Sequence, residues 1–315
     1  MMVNEVKAFR DRAAEKDAVR SEIGFVRGRN LQSAHPCFAV GGKPNNKGRI
    51  HLPVSSGCNI ECQFCDRAVN RTEKRPGVTG QVISPEEALE VVRQALELAP
   101  EITVAGIAGP GDTLATPYAL ETFRLIGEAF PHLIKCMSTN GLLLPDKADE
   151  VIAAGVETLT VTVNDIYPET LQYICGRMHY HGKIMSGIEG AEKLIANQLE
   201  GIRKAAEAGI TVKVNTVLIP ELNDDHIGDI AKAVAEAGAQ IYNIIPLMPQ
   251  YNMADLLPPS CNETDEARRD AERYITVFRH CQHCRADAIG VPGGKDYREQ
   301  IYRNRIEPEM RFSHG

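Results

Sequence analysis

Apolar and polar positions alternate in a regular order between residues 49 and 245. Six short segments rich in β-branched residues are bounded by turn-forming residues, which predicts strands. The segments between them repeat apolar residues at intervals of three and four, which predicts amphipathic helices. The predicted strands are 49–54, 102–107, 133–137, 157–163, 211–218 and 240–245, and the predicted helices are 86–98, 117–129, 145–154, 185–208 and 225–237.

Strands that alternate with helices form parallel βαβ units, so the chain is predicted to be of the α/β class. We favour a partial (βα)6 barrel of the TIM type, and a doubly wound sheet is the alternative that the pattern leaves open. The pattern also predicts one or two polar helices in residues 1–30, a loop at 247–262 and a helix at 263–280. The predicted domains are an N-terminal helical extension with a His-Pro-Cys loop (1–47), the barrel (48–246) and a C-terminal extension with a Cys-x-x-Cys segment (247–315).

The charge balance argues against two classes of partner. The net charge is −7 and there is no basic run, so neither a nucleic acid nor a membrane partner is predicted. No apolar run approaches the roughly 18 residues that a spanning helix needs. The first 25 residues are charged throughout and lack an apolar signal core, which predicts a cytoplasmic protein.

Nine cysteines are many for such a compartment, where disulfides rarely persist. Cys58, Cys62 and Cys65 lie within eight residues, and Cys281 and Cys284 form a Cys-x-x-Cys pair. Clustering of this kind favours metal binding. The roles of two isolated cysteines stay open, and each can be a small buried apolar residue; they are Cys175 and Cys261.

The triad Cys58-x3-Cys62-x2-Cys65 follows directly after the first predicted strand. It supplies three thiolates to a cube that normally takes four, so one iron stays open to another ligand. With Phe64 before the last cysteine, the segment resembles the radical S-adenosylmethionine (SAM) superfamily. The resemblance implies a 4Fe–4S cluster whose open iron binds SAM and reduces it to a 5′-deoxyadenosyl radical. Zinc is the alternative, although zinc motifs usually pair two Cys-x-x-Cys units.

Polar residues and glycines at the ends of the following strands are candidate cofactor contacts. Gly109, Gly111 and Asp112 follow the second strand, where glycine lets a backbone approach a ligand and where the superfamily has its amino-group motif. The alternative for this Gly-Pro-Gly segment is a plain turn. Carboxyl ends of barrel strands carry the active sites of such folds. The further candidates on this ground are Ser138, Asn140, Asn164 and Asn215.

Five more donors remain, namely His35, Cys37, Cys136, Cys281 and Cys284. Soft thiolates and imidazoles of this number can bind one or two additional clusters. We expect Cys136 to face the same mouth as the triad, and the tail cysteines to fold back across it. A redox dithiol is the alternative for Cys281 and Cys284, although their flanking residues differ from those of a thioredoxin motif.

Several longer motifs resemble one family within the superfamily, the NifB family. The resemblance covers about residues 35–291, most of the chain. Its motifs are His35-Pro-Cys37, Glu73-Lys-Arg-Pro-Gly-Val78, Ala108-Gly-Pro-Gly-Asp112, Cys136-Met-Ser-Thr-Asn-Gly141, Val214-Asn-Thr-Val-Leu-Ile-Pro220 and Cys281-Gln-His-Cys-Arg-Ala-Asp-Ala-Ile-Gly290.

The resemblance implies an enzyme of lyase or transferase type that makes the precursor of the nitrogenase cofactor. Two 4Fe–4S substrate clusters would fuse around a carbide derived from a SAM methyl group, giving an 8Fe–9S–C product. The five additional donors would share these two clusters. Glu73 would move a proton or bind iron and Arg75 would contact an anionic cluster, whereas a surface ion pair is the alternative for both. The implied partners are an electron donor such as ferredoxin, a cluster donor, and a carrier or scaffold that receives the product.

Two departures from the family pattern stand out. Segment 70–76 has no cysteine, where many members carry one, and the sequence given ends without the NifX-like domain that many bacterial members append. The alternative enzyme is a radical SAM protein with one auxiliary cluster, similar to the molybdopterin-precursor cyclase. The non-enzymatic alternative is an iron–sulfur scaffold or electron carrier.

Overall fold

The computed structural model describes residues 25–26, 29–30, 34–38, 46–302 and 310–312. The helices within these residues are α1 (Pro85–Leu98), α2 (Tyr118–Ala129), α3 (Leu144–Ala153), α4 (Pro168–Ile174), α5 (Gly187–Glu207), α6 (Ile227–Glu236), α7 (Cys261–Ala271) and α8 (Arg298–Ile301). The first eight strands are β1 (Phe25–Val26), β2 (Arg29–Asn30), β3 (Gly48–His51), β4 (Ile60–Cys62), β5 (Arg67–Val69), β6 (Val78–Thr79), β7 (Ile102–Ile107) and β8 (Ile134–Thr139). The others are β9 (Thr158–Thr162), β10 (Cys175–Tyr180), β11 (Lys183–Met185), β12 (Thr211–Leu218), β13 (Ile241–Pro246), β14 (Thr276–Val277), β15 (Ile289–Gly290) and β16 (Met310–Phe312).

The main sheet confirms the predicted partial barrel. Strands β3, β7, β8, β9, β12 and β13 lie side by side in chain order and are parallel, as a barrel built from successive βα units requires. Strand β14 extends one edge of this sheet, parallel to β13, and β15 extends the opposite edge, antiparallel to β3. The chain between β14 and β15 joins the two edges across the open side of the barrel.

Alternation along the strands separates the core from the barrel interior. In β12, Val212 and Val214 are fully buried within the main hydrophobic core. Lys213 and Asn215 point to the other face of the sheet and line an interior cavity, since successive strand side chains face opposite sides. Burial of the two valines in the core holds β12 in place, and the lysine and asparagine between them therefore face the barrel interior.

Helix α1 begins where the sequence predicts it. The Ser84 hydroxyl accepts a hydrogen bond from the Glu87 amide at 3.2 Å, and the Glu87 carboxylate accepts one from the Ser84 amide at 2.9 Å. This reciprocal cap satisfies two amides that a helix N-terminus leaves without partners, and Pro85 occupies the first helical position. The five predicted barrel helices are confirmed, with ends within two residues of the prediction.

The predicted helix at 263–280 is wrong beyond Ala271. Helix α7 ends there, and β14 follows as a short strand beside β13. The β-branched residues Ile275, Thr276 and Val277 favour a strand at this edge. Helix α7 also begins at Cys261, inside the predicted loop 247–262.

Two further differences concern segments outside the βα pattern. Residues 25–26 and 29–30 pair as antiparallel strands, so the polar helix predicted for residues 1–30 is wrong there, and its first 24 residues lie outside the described part. Residues 175–185 form a hairpin that was not predicted. Its two-residue turn, His181-Gly182, has positive φ at both positions, as a type I′ hairpin turn requires. No helix in the described ranges is both long and apolar enough to cross a membrane.

Candidate functional site

The three triad cysteines lie together beyond the carboxyl end of β3. Cys58 precedes β4, Cys62 is its last residue, and the Cys65 amide donates to the Cys62 carbonyl at 3.1 Å in the turn that follows. All three side chains are partly exposed. The short strand and its turn therefore present three thiols from one continuous loop.

A buried arginine that sequence reasoning missed lies against these thiols. Arg67 is 5% exposed, donates a hydrogen bond to the Cys65 sulfur and is close enough to all three thiols to interact with their charge. Burial raises the pKa of the Cys58 thiol to about 12, while the Arg67 charge lowers it. Burial is also the main cause that raises the pKa of Cys65. The thiols are consequently protonated at neutral pH, and iron would have to displace those protons.

The Gly-Pro-Gly-Asp segment packs directly against the loop that leads into the triad. The Gly111 amide donates to the Ser55 carbonyl at 2.6 Å, and the Asp112 amide donates to the Gly57 carbonyl at 2.8 Å. A Cβ atom on Gly111 would lie 1.9 Å from the Gly57 oxygen, so only glycine fits here. The backbone of Gly109 to Gly111 is thereby held beside the cluster loop.

The Asp112 carboxylate connects the loop after β7 to the end of β8 by hydrogen bonds. It accepts hydrogen bonds from the amides of Leu114 at 2.9 Å and Asn140 at 2.6 Å, and from the Thr139 hydroxyl. Burial raises the pKa of Asp112, and these hydrogen bonds work in the opposite direction. Both carboxylate oxygens are thus used to join the ends of β7 and β8.

The polar residues at the other strand ends divide into two groups. The side-chain Nδ2 of Asn140 donates to the Asn59 side-chain oxygen at 2.7 Å and lies 3.9 Å from the Cys58 sulfur. Ser138 and Asn215 line the interior cavity. Asn164 is buried away from that lining. Its side-chain oxygen accepts from the Val217 amide and its carbonyl accepts from the Asn223 side chain, which ties β9 to β12.

The barrel interior holds a cavity of about 320 Å³. Its lining brings the five additional donors predicted from the sequence together with one triad cysteine, although they come from separate stretches of the chain. These lining residues are His35, Cys37, Cys136, Cys281, Cys284 and Cys65. The cavity is therefore continuous with the triad site and rich in soft donors.

The additional donors enter the cavity from different elements. Cys136 lies in the middle of β8 rather than at its end, on the interior face that it shares with Ser138. Cys281 and Cys284 lie on the chain that joins β14 to β15 across the open side of the barrel. The Cys37 thiol packs with Cys136 and Cys281 against a small apolar cluster of Phe38, Ile241 and Phe278.

Two buried cations in the cavity wall were not singled out from the sequence. Arg49 donates to the Cys284 sulfur at 3.0 Å. The Lys213 ammonium donates to the Cys37 carbonyl at 3.3 Å and lies 4.7 Å from the centre of the Phe38 ring. Burial raises the pKa of Cys37 to about 12, and the Lys213 charge opposes that rise. The alternation of polar and apolar residues along the eight residues of β12 was the available signal for Lys213, whereas the four residues of β3 are too few to give one for Arg49.

His51 was also missed, although it shares the interior face of β3 with Arg49. Its Nδ1 donates to the Arg285 carbonyl at 2.9 Å, which leaves Nε2 as the acceptor nitrogen, and the residue lines the cavity. Burial, followed by the charge of Arg49, lowers the pKa of His51 to about 4. The ring is consequently neutral at pH 7, the form that binds metals.

Glu73 and Arg75 form an ion pair, with a nitrogen–oxygen distance of 2.6 Å. Arg75 is buried and lines the cavity, whereas Glu73 is absent from the cavity lining and is held by the Asn70 side chain at 2.8 Å. The pair therefore bridges the cavity wall and the loop behind it.

A second buried pair links the Glu73–Val78 segment to the Cys281–Gly290 segment. The Arg285 guanidinium lies 2.8 Å from the Asp287 carboxylate and donates to the carbonyls of Asn70 and Glu73. Asp287 in turn accepts from the Gly80 amide at 2.5 Å. These bonds fix the tail that carries Cys281 and Cys284 to the loop that carries Arg75.

No group of three His, Cys, Asp or Glu side chains in the described ranges converges on a single metal ion. A cube has a different requirement, because each thiolate binds a different iron of the cluster. Three thiols on one loop beside a buried guanidinium fit such a cluster in donor type, number and charge.

Residues 52–234 match the Radical SAM superfamily. The FeMo cofactor biosynthesis protein NifB of Methanocaldococcus infernus is 46% identical over 279 residues, which are 88% of this chain and 91% of the relative. The protein of the same name from Klebsiella pneumoniae is 38% identical over 285 residues, 88% of this chain and 60% of the relative.

Among solved structures, a radical SAM methyltransferase from Sphaerobacter thermophilus has a TM-score of 0.56 at 17% identity, over 76% of this chain and 67% of that one. The Streptococcus suis protein SuiB has a TM-score of 0.53 at 11% identity, over 73% of this chain and 49% of that one. At 11% and 17% sequence identity, these two similarities show a shared fold only.

Proposed function

The chain belongs to the NifB family of radical SAM enzymes, and from this membership we propose that it assembles the iron–sulfur–carbide precursor of the nitrogenase cofactor. Two 4Fe–4S clusters are its substrates, a SAM methyl group is the source of the carbon, and one added inorganic sulfur supplies the ninth sulfide. The product is an 8Fe–9S–C cluster. The enzyme then first transfers a methyl group and afterwards uses an organic radical to abstract hydrogen from it.

One observation carries this proposal. The five additional donors, drawn from three separate parts of the chain, line one cavity together with triad residue Cys65. An enzyme with a small organic substrate would not need five thiols and imidazoles around its substrate. Soft donors that lie next to a radical-generating site are suited to holding iron–sulfur clusters as substrates.

The triad and its surroundings would hold the resident cofactors. Cys58, Cys62 and Cys65 would bind three irons of a 4Fe–4S cluster, and Arg67 would offset part of the thiolate charge. The cluster with bound SAM supplies an organic radical that removes hydrogen from carbon. The backbone carbonyls of Gly109 and Gly111 would bind the SAM ammonium group, because Asp112 braces that segment with its own carboxylate engaged. Ser138, Asn140 and Asn215 would contact the rest of SAM.

The cavity would bind both substrate clusters. His51 extends the five predicted donors to six, since it lines the cavity and its ring is neutral. Iron–sulfur clusters with thiolate ligands are anionic, and the wall contains the cations Arg49, Lys213 and Arg75. Opposite charge placed in a buried site stabilises such a ligand more than it would at the surface. These side chains would thus hold the two substrates close together and close to the triad.

Glu73 is placed to act through Arg75. Their ion pair reaches the cavity by way of the guanidinium, while the carboxylate is a third exposed. We propose that Arg75 contacts an anionic cluster and that Glu73 holds it there or takes up a proton. This chemistry requires three partners: an electron donor such as ferredoxin, a donor of 4Fe–4S clusters, and a carrier or scaffold that receives the product.

The test is anaerobic reconstitution with iron and sulfide, followed by dithionite and SAM. Three cubes per chain give about twelve irons, whereas a single auxiliary cluster gives about eight. Both S-adenosylhomocysteine and 5′-deoxyadenosine are expected, because SAM is used for methyl transfer and for hydrogen abstraction. Formation of only one of the two products, or an iron content that stays at about eight, would contradict the proposal.

A further inference from the structure

Cys175 lies outside the cavity and outside the donors assigned above, yet its sulfur is 3.9 Å from the sulfur of Cys62. The two residues face each other across strands β4 and β10, where their Cα atoms are register partners in an antiparallel pair. Such partners lie about 4.5 to 5.5 Å apart. Disulfides span Cα separations of about 4.4 to 6.8 Å. The backbone thus holds the two cysteines at a spacing that a disulfide can bridge.

The surroundings of the pair give a route for oxidation. Cys175 is 3% exposed and packs in an apolar cluster with Ile60 and Ile174, where a thiol by itself would be inert. Cys62 is partly exposed and packs against the same cluster. A small oxidant can therefore reach Cys62, and Cys175 is the buried partner behind it. The hydrogen bond with Cys175, and then burial, raise the pKa of Cys62, so little thiolate is present at neutral pH and the oxidation is slow.

We propose that Cys62 and Cys175 form a reversible disulfide when the triad is empty, which makes Cys175 the oxidation partner of a cluster ligand. The inference rests on the proposed function in one respect, namely that Cys62 binds iron in the loaded protein. A sulfur bound to iron is not available to form a disulfide. The cluster and the disulfide consequently exclude each other.

The chemistry balances with a peroxide as the oxidant. The Cys62 thiol and one hydrogen peroxide give a sulfenic acid and one water. The Cys175 thiol then attacks the sulfenic sulfur, the S–S bond forms, and the hydroxyl leaves as a second water. Two thiols are oxidised by two electrons in total, and one peroxide is reduced to two waters. A dithiol reductant reverses the change, whereas a sulfinic acid on Cys62 would be permanent.

The test compares the full-length protein loaded with iron and sulfide with the same protein after anaerobic removal of iron by a chelator. Each sample receives hydrogen peroxide, its free thiols are blocked, and it is digested without reduction. Cleavage after Glu61 separates Cys58 from Cys62, and fragmentation of the linked peptide distinguishes Cys62 from Cys65. In the chelated protein we expect most of Cys175 in a peptide joined to Cys62, and its release by dithiothreitol.

Two variants serve as matched controls. Cys175→Ser must lose the linked peptide completely, and Cys261→Ser must keep it, because Cys261 is an exposed thiol on helix α7. After peroxide and then dithiothreitol, the chelated wild type should regain its iron on reconstitution. Cys175 that stays a free thiol after oxidation, or that joins Cys58 or Cys65 instead, would overturn the inference.

The loaded sample separates this inference from the proposed function. With the cluster in place, the Cys62–Cys175 peptide should be absent for as long as iron is retained. A disulfide that forms equally fast with the full iron content would show that Cys62 does not bind iron. That outcome would contradict the triad assignment while leaving the cysteine pair itself intact.

Discussion

The triad site and the interior cavity both present thiols, but they are assembled in different ways. The triad takes Cys58, Cys62 and Cys65 from one eight-residue segment, with Arg67 two residues beyond it. The cavity takes its donors from a segment before the barrel, from the middle of β8 and from the tail that crosses the open side. A local motif can therefore make a radical-generating site on many folds, whereas the second site exists only where this topology brings distant segments together.

The difference also concerns charge. One guanidinium, that of Arg67, interacts with all three triad thiols. The cavity has several cations around its wall, including Arg49 beside Cys284 and Lys213 beside Cys37. A site that holds one cluster with an open iron needs little compensating charge, whereas a site for two anionic substrates needs more. Substitutions in the triad and substitutions in the cavity should therefore have different effects on iron content and on SAM-derived products.

The largest effect is expected from Cys65→Ala. Removing one of three ligands leaves the triad cluster too weakly held, so about four of about twelve irons per chain should be lost. Both SAM-derived products should fall to background, because all SAM chemistry in the account starts at this cluster. Iron analysis and product chromatography measure these changes, with Cys261→Ala as the control. Product formation at the normal rate would contradict the assignment of the triad.

Next in size is Cys284→Ala, which affects the cavity alone. The variant should lose about four irons, retain the spectroscopic signal of the triad cluster and still form 5′-deoxyadenosine from SAM without coupling to product. Paramagnetic resonance of the reduced protein follows the triad, and extraction of the 8Fe cluster follows the product. Unchanged product yield would show that the tail cysteines are structural. Loss of the triad signal would show that the two regions are a single site.

A moderate effect is expected from Arg67→Gln. The positive charge beside the thiols favours the reduced cluster, so its removal should lower the reduction potential of the triad cluster. The expected shift is about 60 mV, which corresponds to a tenfold change for a one-electron couple. Arg67→Lys keeps the charge and should restore most of the potential. A redox titration followed by paramagnetic resonance measures it, and equal potentials in all three proteins would contradict this role.

Smaller effects are expected in the pH dependence of the cluster-free protein, first on the acidic side. The folded-state pKa of His51 lies below the ordinary 6.5, at about 4. Its contribution to stability is present above pH 6.5 and is lost as the pH falls toward 4, since the unfolded chain binds the proton first. The contribution is at most about 3 kcal/mol. Urea unfolding between pH 7 and 4 tests this, and His51→Gln should flatten the dependence. An unchanged slope would contradict it.

At the alkaline end, the two regions should respond alike. Burial raises the pKa of Cys37 in the cavity and of Cys58 in the triad from 9.0 to about 12. Stability of the cluster-free protein is therefore fully present below pH 9 and is lost as the pH rises toward 12, because the unfolded chain loses these protons first. Urea unfolding of Cys37→Ser and Cys58→Ser should show a smaller loss than the wild type. If only one of the two variants showed a smaller loss of stability, only the thiol replaced in that variant would have a raised pKa in the folded protein.

The sequence predicted the barrel and the triad because both are encoded locally. The strands of the barrel alternate apolar and polar residues, as Val212 to Asn215 show, and the triad spacing needs no tertiary information. The two-residue strands β14 and β15 could not be predicted, because two residues carry no periodicity. The sequence led us to expect that the tail folds back across the mouth of the barrel, but not the two short strands that fix its path there.

The charged and imidazole residues of the interior were missed for a related reason. Arg67 follows a loop, where an arginine is usually exposed, and only its 5% exposure identifies it as part of the site. His51 and Arg49 alternate with buried residues of β3, but four residues are too few to separate an interior face from a solvent face. The hairpin that brings Cys175 to Cys62 pairs strands from distant parts of the chain. Such pairing depends on the complete fold.

We propose that carbon from SAM enters a cluster that is held in the cavity, separate from the triad. This can be measured with SAM that carries an isotopically labelled methyl carbon. The protein is loaded anaerobically and reduced, and its 8Fe cluster is extracted after reaction. We expect about one labelled carbon per extracted cluster in the wild type, and no labelled cluster from Cys65→Ala or Cys284→Ala. Label found only in small molecules, with none in the extracted cluster, would show that SAM carbon does not enter the cluster.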